Sequence, residues 1–169
     1  MKKYVKATEF WETLDPFDLD YLSRACVAAH TPDPVLLEAY QYDPESFVRG
    51  SLAENPNTPA SVLENMISGP HSSYELEAIA RNPNASADTL TKLFLSLTDL
   101  DLTSESLGDD YDDIVRGIAF NPNTPKDLLQ ELSEAADAVV RSCVASNPSA
   151  PLDALEYMAD WDEEEYGGE

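Results

Sequence analysis

Only two cysteines, Cys26 and Cys143, occur in 169 residues, which is no basis for the disulfide framework of a small secreted domain. Positive charge is scarce beside its opposite: ten Lys and Arg face 33 Asp and Glu, for a net charge of −23. Direct binding to nucleic acid or to an anionic membrane needs basic side chains to neutralise phosphates, and this balance argues against both. No run of about 18 uncharged apolar residues is present, so no membrane span is expected. Glu9, Glu12, Asp15 and Asp18 interrupt the beginning of the chain, where a signal peptide would need an apolar stretch. Together these absences point to the cytoplasm. Catalytic signatures are missing too: there is no Ser-His-Asp order, no His-x-x-x-His pair and no glycine-rich phosphate loop. The two histidines, His30 and His71, have no partner at catalytic spacing. The chain therefore reads as a non-enzyme without metal or cofactor.

A hydrophobic fraction of 43% supports a core despite the charge, and the length fits one domain. That domain is built from an internal repeat. Ala-x-Asn-Pro occurs at 53–56, 80–83, 119–122 and 145–148, and a degenerate copy reads Ala28-Ala29-His30-Thr31, with His30 at the anchor position. From His30 onward the anchor residues are separated by 25, 27, 39 and 26 residues, a period near 26 with one insertion. An apolar residue precedes each Ala, and Arg24, Arg49, Arg116 and Arg141 stand three or four residues before it. Proline follows the anchor by four residues at Pro34, Pro59, Pro125 and Pro151. Leu63, Leu90, Leu129 and Leu155 recur four residues later still, each followed three on by Met66, Leu93, Leu132 or Met158.

Each copy spells two short helices. The Asn-Pro anchor ends the first, because a residue before proline is pushed out of the α region. The second is expected to open at the proline, with Asp33, Thr58 or Thr124 as N-cap and capping-box spacing from Thr124 to Asp127. Helices this short bury their apolar faces only by stacking on their neighbours, which is the logic of an all-α solenoid. Its expected limits are 1–161, with an N-terminal cap over 1–20 and repeats near 21–42, 43–69, 70–98, 112–134 and 135–160. Asp15-Pro16 is expected to open a longer helix with Phe17, Tyr21, Leu22, Ala25, Cys26 and Ala29 as its apolar stripe. An acidic insertion spans 99–113, and an acidic tail over 162–169 is expected to be disordered.

The unit Val48-Arg49 through Pro59, Leu63 and Met66, repeated from Val115-Arg116 through Pro125, Leu129 and Leu132, resembles the variant leucine-rich repeat. This is a bacterial relative of the HEAT and armadillo solenoids. The resemblance covers roughly residues 21–160 and implies a right-handed stack of about five two-helix units. Some members of that family carry an iron–sulfur cluster, which needs four thiolates, so two cysteines do not carry that cofactor over.

Positions that repeat in register read as structural. Cys26 and Cys143 share a slot that elsewhere holds Ser51, Ala78 and Gly117, and the anchors Asn55, Asn82, Asn121 and Asn147 can satisfy backbone groups left over at helix ends. His30, where the other anchors have Asn, reads as a helix-end cap. The arginines suit ion pairs with nearby acids such as Asp43, Asp112 and Asp137. The slot just before each Asn differs: Glu54, Arg81, Phe120 and Ser146 share no chemistry, and a slot that varies among constant neighbours is where a solenoid places partner contacts. The insertion adds Asp99, Asp101, Asp109, Asp110, Asp112 and Asp113, whose carboxylates suit a basic partner. The functional expectation is a protein-binding module that uses this groove and the insertion. The alternative is an acidic mimic of DNA that occupies the basic cleft of a nucleic-acid-binding protein.

Overall fold

The computed structural model describes residues 18–69, 71–99, 109–135 and 137–166. Among them the chain forms helices α1 (Tyr21–His30), α2 (Pro34–Tyr40), α3 (Ser46–Glu54), α4 (Ala60–Met66), α5 (Ser73–Arg81), α6 (Ala87–Asp99), α7 (Asp109–Phe120), α8 (Lys126–Ser133), α9 (Ala138–Ser146) and α10 (Leu152–Tyr166), and no strand. Asn-Pro ends α3, α5, α7 and α9 as the sequence predicts, and Asn55, Asn82 and Asn147 take extended backbone angles. These odd-numbered helices pack each on the next, α1 on α3, α3 on α5, α5 on α7 and α7 on α9. In a second row α4 touches α6 and α8 touches α10. Packing in series is what a solenoid requires.

The apolar spacing places the core where expected. Leu63, Leu90 and Leu129 are fully enclosed, with Met66, Leu93 and Leu132 beside them, while their counterparts Leu155 and Met158 on α10 are half-buried. One cluster of buried side chains runs from Ala25 to Val144.

What holds one repeat to the next is an amide ladder. The Asn55 Nδ2 donates to the Ala28 and Thr31 carbonyls, and Asn82 donates to those of Ala53 and Asn55. Asn121 reaches back to Ala80 and Asn82, and Asn147 to Ala119 and Asn121. Each amide thus joins the end of the preceding first helix, where carbonyls lack helical partners, to the preceding anchor. Its Oδ1 meanwhile accepts from the backbone N–H two residues on, which shapes the turn: Asn57, Asn84, Asn123 and Ser149 donate at 2.8–3.0 Å. All four anchors are buried. A second row of bonds, not apparent from the repeat pattern, lies beside the first. Asn84 Nδ2 donates to the Pro56 and Thr58 carbonyls, Asn123 Nδ2 to those of Pro83 and Ala85, and Ser149 Oγ to that of Pro122.

Several expected details shift. The degenerate anchor is Thr31, not His30: Thr31 Oγ1 accepts from Asp33 N–H at 3.1 Å and its carbonyl receives the Asn55 amide, whereas His30 is an extra, exposed helical residue bonded to Cys26 O. Thr58 and Thr124 do not cap the helices after them. Their hydroxyls donate backward to Leu52 and Ile118 carbonyls at 2.6 Å, closing the preceding helix, and Pro59 and Pro125 occupy the N-cap position. The Thr124–Asp127 capping box is accordingly absent, and a capping box forms instead between Ser72 and Glu75. Asp33 does cap α2, with Pro34 in its first turn. In the copy without proline, Ser86 accepts from Thr89 N–H in its place. Helix α1 starts at Tyr21 behind the cap Asp20; the expected start at Asp15-Pro16 lies outside the described residues. Of its expected stripe, Ala25 is buried, while Tyr21, Leu22 and Cys26 are exposed. At the other end α10 continues to Tyr166, through acids 162–165 that composition places in a disordered tail.

The ladder predicts a specific loss. Asn82→Ala leaves the carbonyls of Ala53 and Asn55 without their side-chain donor and frees the turn at Asn84. At about 1–3 kcal/mol for each buried group left unsatisfied, the expected cost is roughly 2–4 kcal/mol, or about 5–15 °C in Tm for a chain of this size. Thermal unfolding followed by circular dichroism measures it, and a loss within about 0.5 kcal/mol of zero would show that the ladder does not bear on stability.

Candidate functional site

An arginine row is the first candidate, since guanidinium groups in register could bind an anionic ligand. The structure commits them internally. Arg24 holds the Asp43 carboxylate through Nε and Nη2 at 2.7 and 3.1 Å and the Leu19 carbonyl through Nη1. Arg49 grips Glu75 in the same two-pronged way at 2.8 and 2.9 Å and the Asp43 carbonyl at 2.7 Å. Asp43 and Glu75 are both enclosed. Arg116 binds Asp137 at 2.9 Å and Asp113 at 3.2 Å, and Arg141 donates to the Ala135 carbonyl. The pairing therefore runs forward along the stack. Asp43 is the carboxylate partner of Arg24 rather than Arg49, and Asp137 that of Arg116 rather than Arg141, because Arg24, Arg49 and Arg116 each reach the acid at the start of the following first helix. Asp112 stands 3.8 Å from Arg116, as sequence proximity suggests.

The varying slot before each anchor is exposed. Glu54, Arg81, Phe120 and Ser146 are the last residues of α3, α5, α7 and α9, with Arg81 60% and Phe120 61% accessible. Arg81 carries an ion pair one turn back, to Glu77 at 3.1 Å. Two recesses meet at Arg81 and Pro83. One, about 190 Å³, is lined by Glu54, Tyr74, Glu77 and Ala78; the other, about 510 Å³, by Arg116, Gly117, Phe120 and Cys143. Their floor is low because small residues stand there. A Cβ on Gly117 would come within 2.9 Å of the Ala80 Cβ. Three of the four slot residues thus share one groove, and Ser146 ends the next helix.

None of the described insertion acids lines this groove. Asp99 closes α6, and Asp109, Asp110, Asp112 and Asp113 lie in the opening turns of α7 rather than in a loop; Asp101 lies outside the described residues. Asp110 accepts from Ser73 Oγ at 2.7 Å, while Asp112 and Asp113 face Arg116. Asp112 lines a different recess, with Phe94, Tyr111, Glu131, Glu134 and Asp137. Burial and then the Asp112 charge push the Tyr111 hydroxyl up from its usual range.

Burial pushes the half-buried Cys143 thiol up, against reactivity at neutral pH. His71 bonds only the Gly69 carbonyl in its own loop. Among the described residues no group of three or more His, Cys, Asp and Glu could hold a metal ion, and no helix is long and apolar enough to cross a membrane. The chain matches no family model, no curated protein and no solved structure.

The forward pairing makes a prediction about pH. Burial opposes ionisation of Asp137, but hydrogen bonds from Val139 N–H and Arg116 outweigh it and hold the carboxyl below its ordinary range. As pH falls the unfolded chain takes up this proton first. The stabilisation is therefore complete above the unfolded pKa near about 4 and is lost as pH falls through the lower folded value. Asp137→Asn keeps an acceptor for Val139 and removes the charge. Urea titrations of both proteins should show a stability gap above about pH 5 that narrows toward pH 3; a gap independent of pH would remove the ion pair as its cause.

Proposed function

We propose that this chain is a non-enzymatic protein-interaction module of the cytoplasm, a right-handed solenoid of about five two-helix repeats related to the variant leucine-rich repeat. Its partner docks along the ends of the first helices. The observation that carries this reading is the groove: in a stack whose repeated asparagines and arginines are bonded inward, the residues that vary, Glu54, Arg81 and Phe120, are the ones left open and side by side. Exposed aromatic and arginine side chains over a recess are the kind that carry interface energy. The acids of α7 add long-range attraction for a basic partner.

One observation favours the alternative of a DNA mimic. Asp110, Asp112 and Asp113 ride on a helix, and so do Asp153 and Glu156 of α10, which gives these charges more fixed positions than loop and tail would. Against it, Asp112 and Asp113 already face Arg116.

Association kinetics separate the two readings. With a partner captured from the host and purified, truncating Phe120 and Arg81 to Ala should speed dissociation at least tenfold while leaving unfolding stability within about 0.5 kcal/mol. Changing Asp109, Asp110, Asp112 and Asp113 to Asn should slow association and flatten its salt dependence with little effect on dissociation. If duplex DNA displaces the partner and the Phe120 and Arg81 changes do nothing, the mimic reading replaces the groove.

A further inference from the structure

Each joint between successive first helices has two halves, and the two ends of the stack hold one half each. At the α9 end Ala145 is exposed, whereas Ala53, Ala80 and Ala119 at the same place in α3, α5 and α7 are fully enclosed. The carbonyls of those three alanines, and of the anchor two residues on, receive the next asparagine amide. Among the described residues no side chain donates to the carbonyls of Ala145 and Asn147. Terminal repeats of a solenoid are kept apart by a polar outer face, and this end instead opens Ala145 together with the half-buried Leu155 and Met158. The α1 end holds the complement. Within the stack Tyr74 lies over Gly50, where a Cβ would stand 2.2 Å from its ring, and a Cβ on Gly117 would stand 2.9 Å from that of Ala80. Counted from the recurrent alanine, Leu22 and Cys26 of α1 hold the places of Tyr74 and Gly117, while Ser142 and Ala145 of α9 hold those of Gly50 and Ala80. All four are exposed. Thr31, the first anchor, accepts from Asp33 N–H, and among the described residues its own O–H meets no acceptor.

We propose that the two halves meet between two copies of this chain, head to tail. The head of one copy, α1, packs on the tail of another, α9, with Leu22 over Ser142, Cys26 against Ala145 and the Thr31 hydroxyl donating to the Asn147 carbonyl. Three features select a second copy as the occupant. The first is continuity: the joint repeats, place for place, the contacts by which α5 sits on α3 and α7 on α5. The second is the ladder, since Thr31 stands where the other repeats have the anchor asparagine and brings a donor to a carbonyl that every earlier rung supplies with one. The third is charge. Lys2, Lys3 and Lys6 precede α1 closely in sequence, whereas residues 152–169 carry eight acids and no base, so the two ends attract although each copy has a net charge of −23. Head and tail are different surfaces, which makes the contact heterologous: copies add in an open row unless the rotation between them closes a ring. A threonine makes one bond where an asparagine makes two, so the joint between copies is weaker than those within a copy and assembly is reversible. It uses none of Glu54, Arg81 and Phe120, and so goes beyond the groove reading and is independent of it.

Sedimentation velocity of the full chain from micromolar to millimolar concentration should show a mass that rises from the monomer past the dimer. Ala145→Arg blocks the tail and Leu22→Asp the head, both at exposed helical positions that tolerate a charge. Each variant alone should stay monomeric. An equimolar mixture of the two should form a dimer and nothing larger, because it contains one intact head and one intact tail per pair. Disulfide trapping gives a second measurement that needs no blocked end. In an Ala145→Cys chain, oxidation with copper phenanthroline should link the new thiol to Cys26 of another copy, giving a series of dimers and longer species on a non-reducing gel, and adding Cys26→Ser should abolish it. A parent chain that stays monomeric at millimolar concentration would overturn the proposal. So would a blocked variant that associates like the parent, a mixture that stays monomeric while both variants melt like the parent, or links that survive Cys26→Ser.

Discussion

A buried asparagine amide has two donors and an acceptor to satisfy, and in this protein all three go to backbone groups in the helix-ending turns. The Nδ2 of one anchor bridges two carbonyls of the repeat before it, while its Oδ1 closes the turn of its own. The backbone carbonyls of Thr31, Asn55, Asn82 and Asn121 in turn receive the next amide, so consecutive bonds share a residue from Thr31 to Asn147. Helices of seven to thirteen residues in α1 to α9 cannot hold themselves in water, and the apolar faces that bury them are indifferent to small slips. Directional amides are not. They set the height of each first helix on the next, and the rest of the packing follows from that height.

The charged pairs act at the other end of the same helices. Arg24 and Arg49 each hold a backbone carbonyl before their own helix and a carboxylate at the start of the next, so these two first helices are tied at both ends. Pairs of this kind are costly to desolvate, and their merit is position rather than net energy. They explain why so acidic a chain keeps arginine in register. They also consume positive charge, so that the surface left outside the stack is strongly acidic.

The combined effect of the two ladders is to leave one face of the first-helix row uncommitted. Small residues at Gly50, Ser51, Ala78 and Gly117 let neighbouring helices and rings approach closely, and the larger side chains on either side of this strip stand out from it. The rings of Tyr21, Phe47 and Tyr74 and the helix-end row are two halves of that face, with Arg81 and Glu77 where they meet.

The helical repeat, its period, the helix stops at Asn-Pro and the apolar core were legible in the linear sequence because they depend on local stereochemistry and on spacing. A residue before proline leaves the α region wherever it stands, and leucines at helical spacing share a face in any context. The exposed slot of Glu54, Arg81 and Phe120 was legible for a related reason, since a position free of repeated demands varies. Partners were not. Arg49 has Asp43 six residues away and chooses Glu75 at 26, because stacking brings the next helix start closer than the chain does. Thr58 reads as the cap of the helix after it yet faces the helix behind it, since Pro59 takes the cap position and the Thr58 hydroxyl donates to the buried Leu52 carbonyl. The extra residue His30, the second row through Asn84 and Asn123, and the ring contacts of Tyr21, Phe47 and Tyr74 likewise depend on which groups lie opposite one another across a repeat. Sequence alone determined where helices begin, end and turn their apolar sides. Only the tertiary structure decided which side chains meet, because distances between repeats are set by packing and not by the length of chain between them.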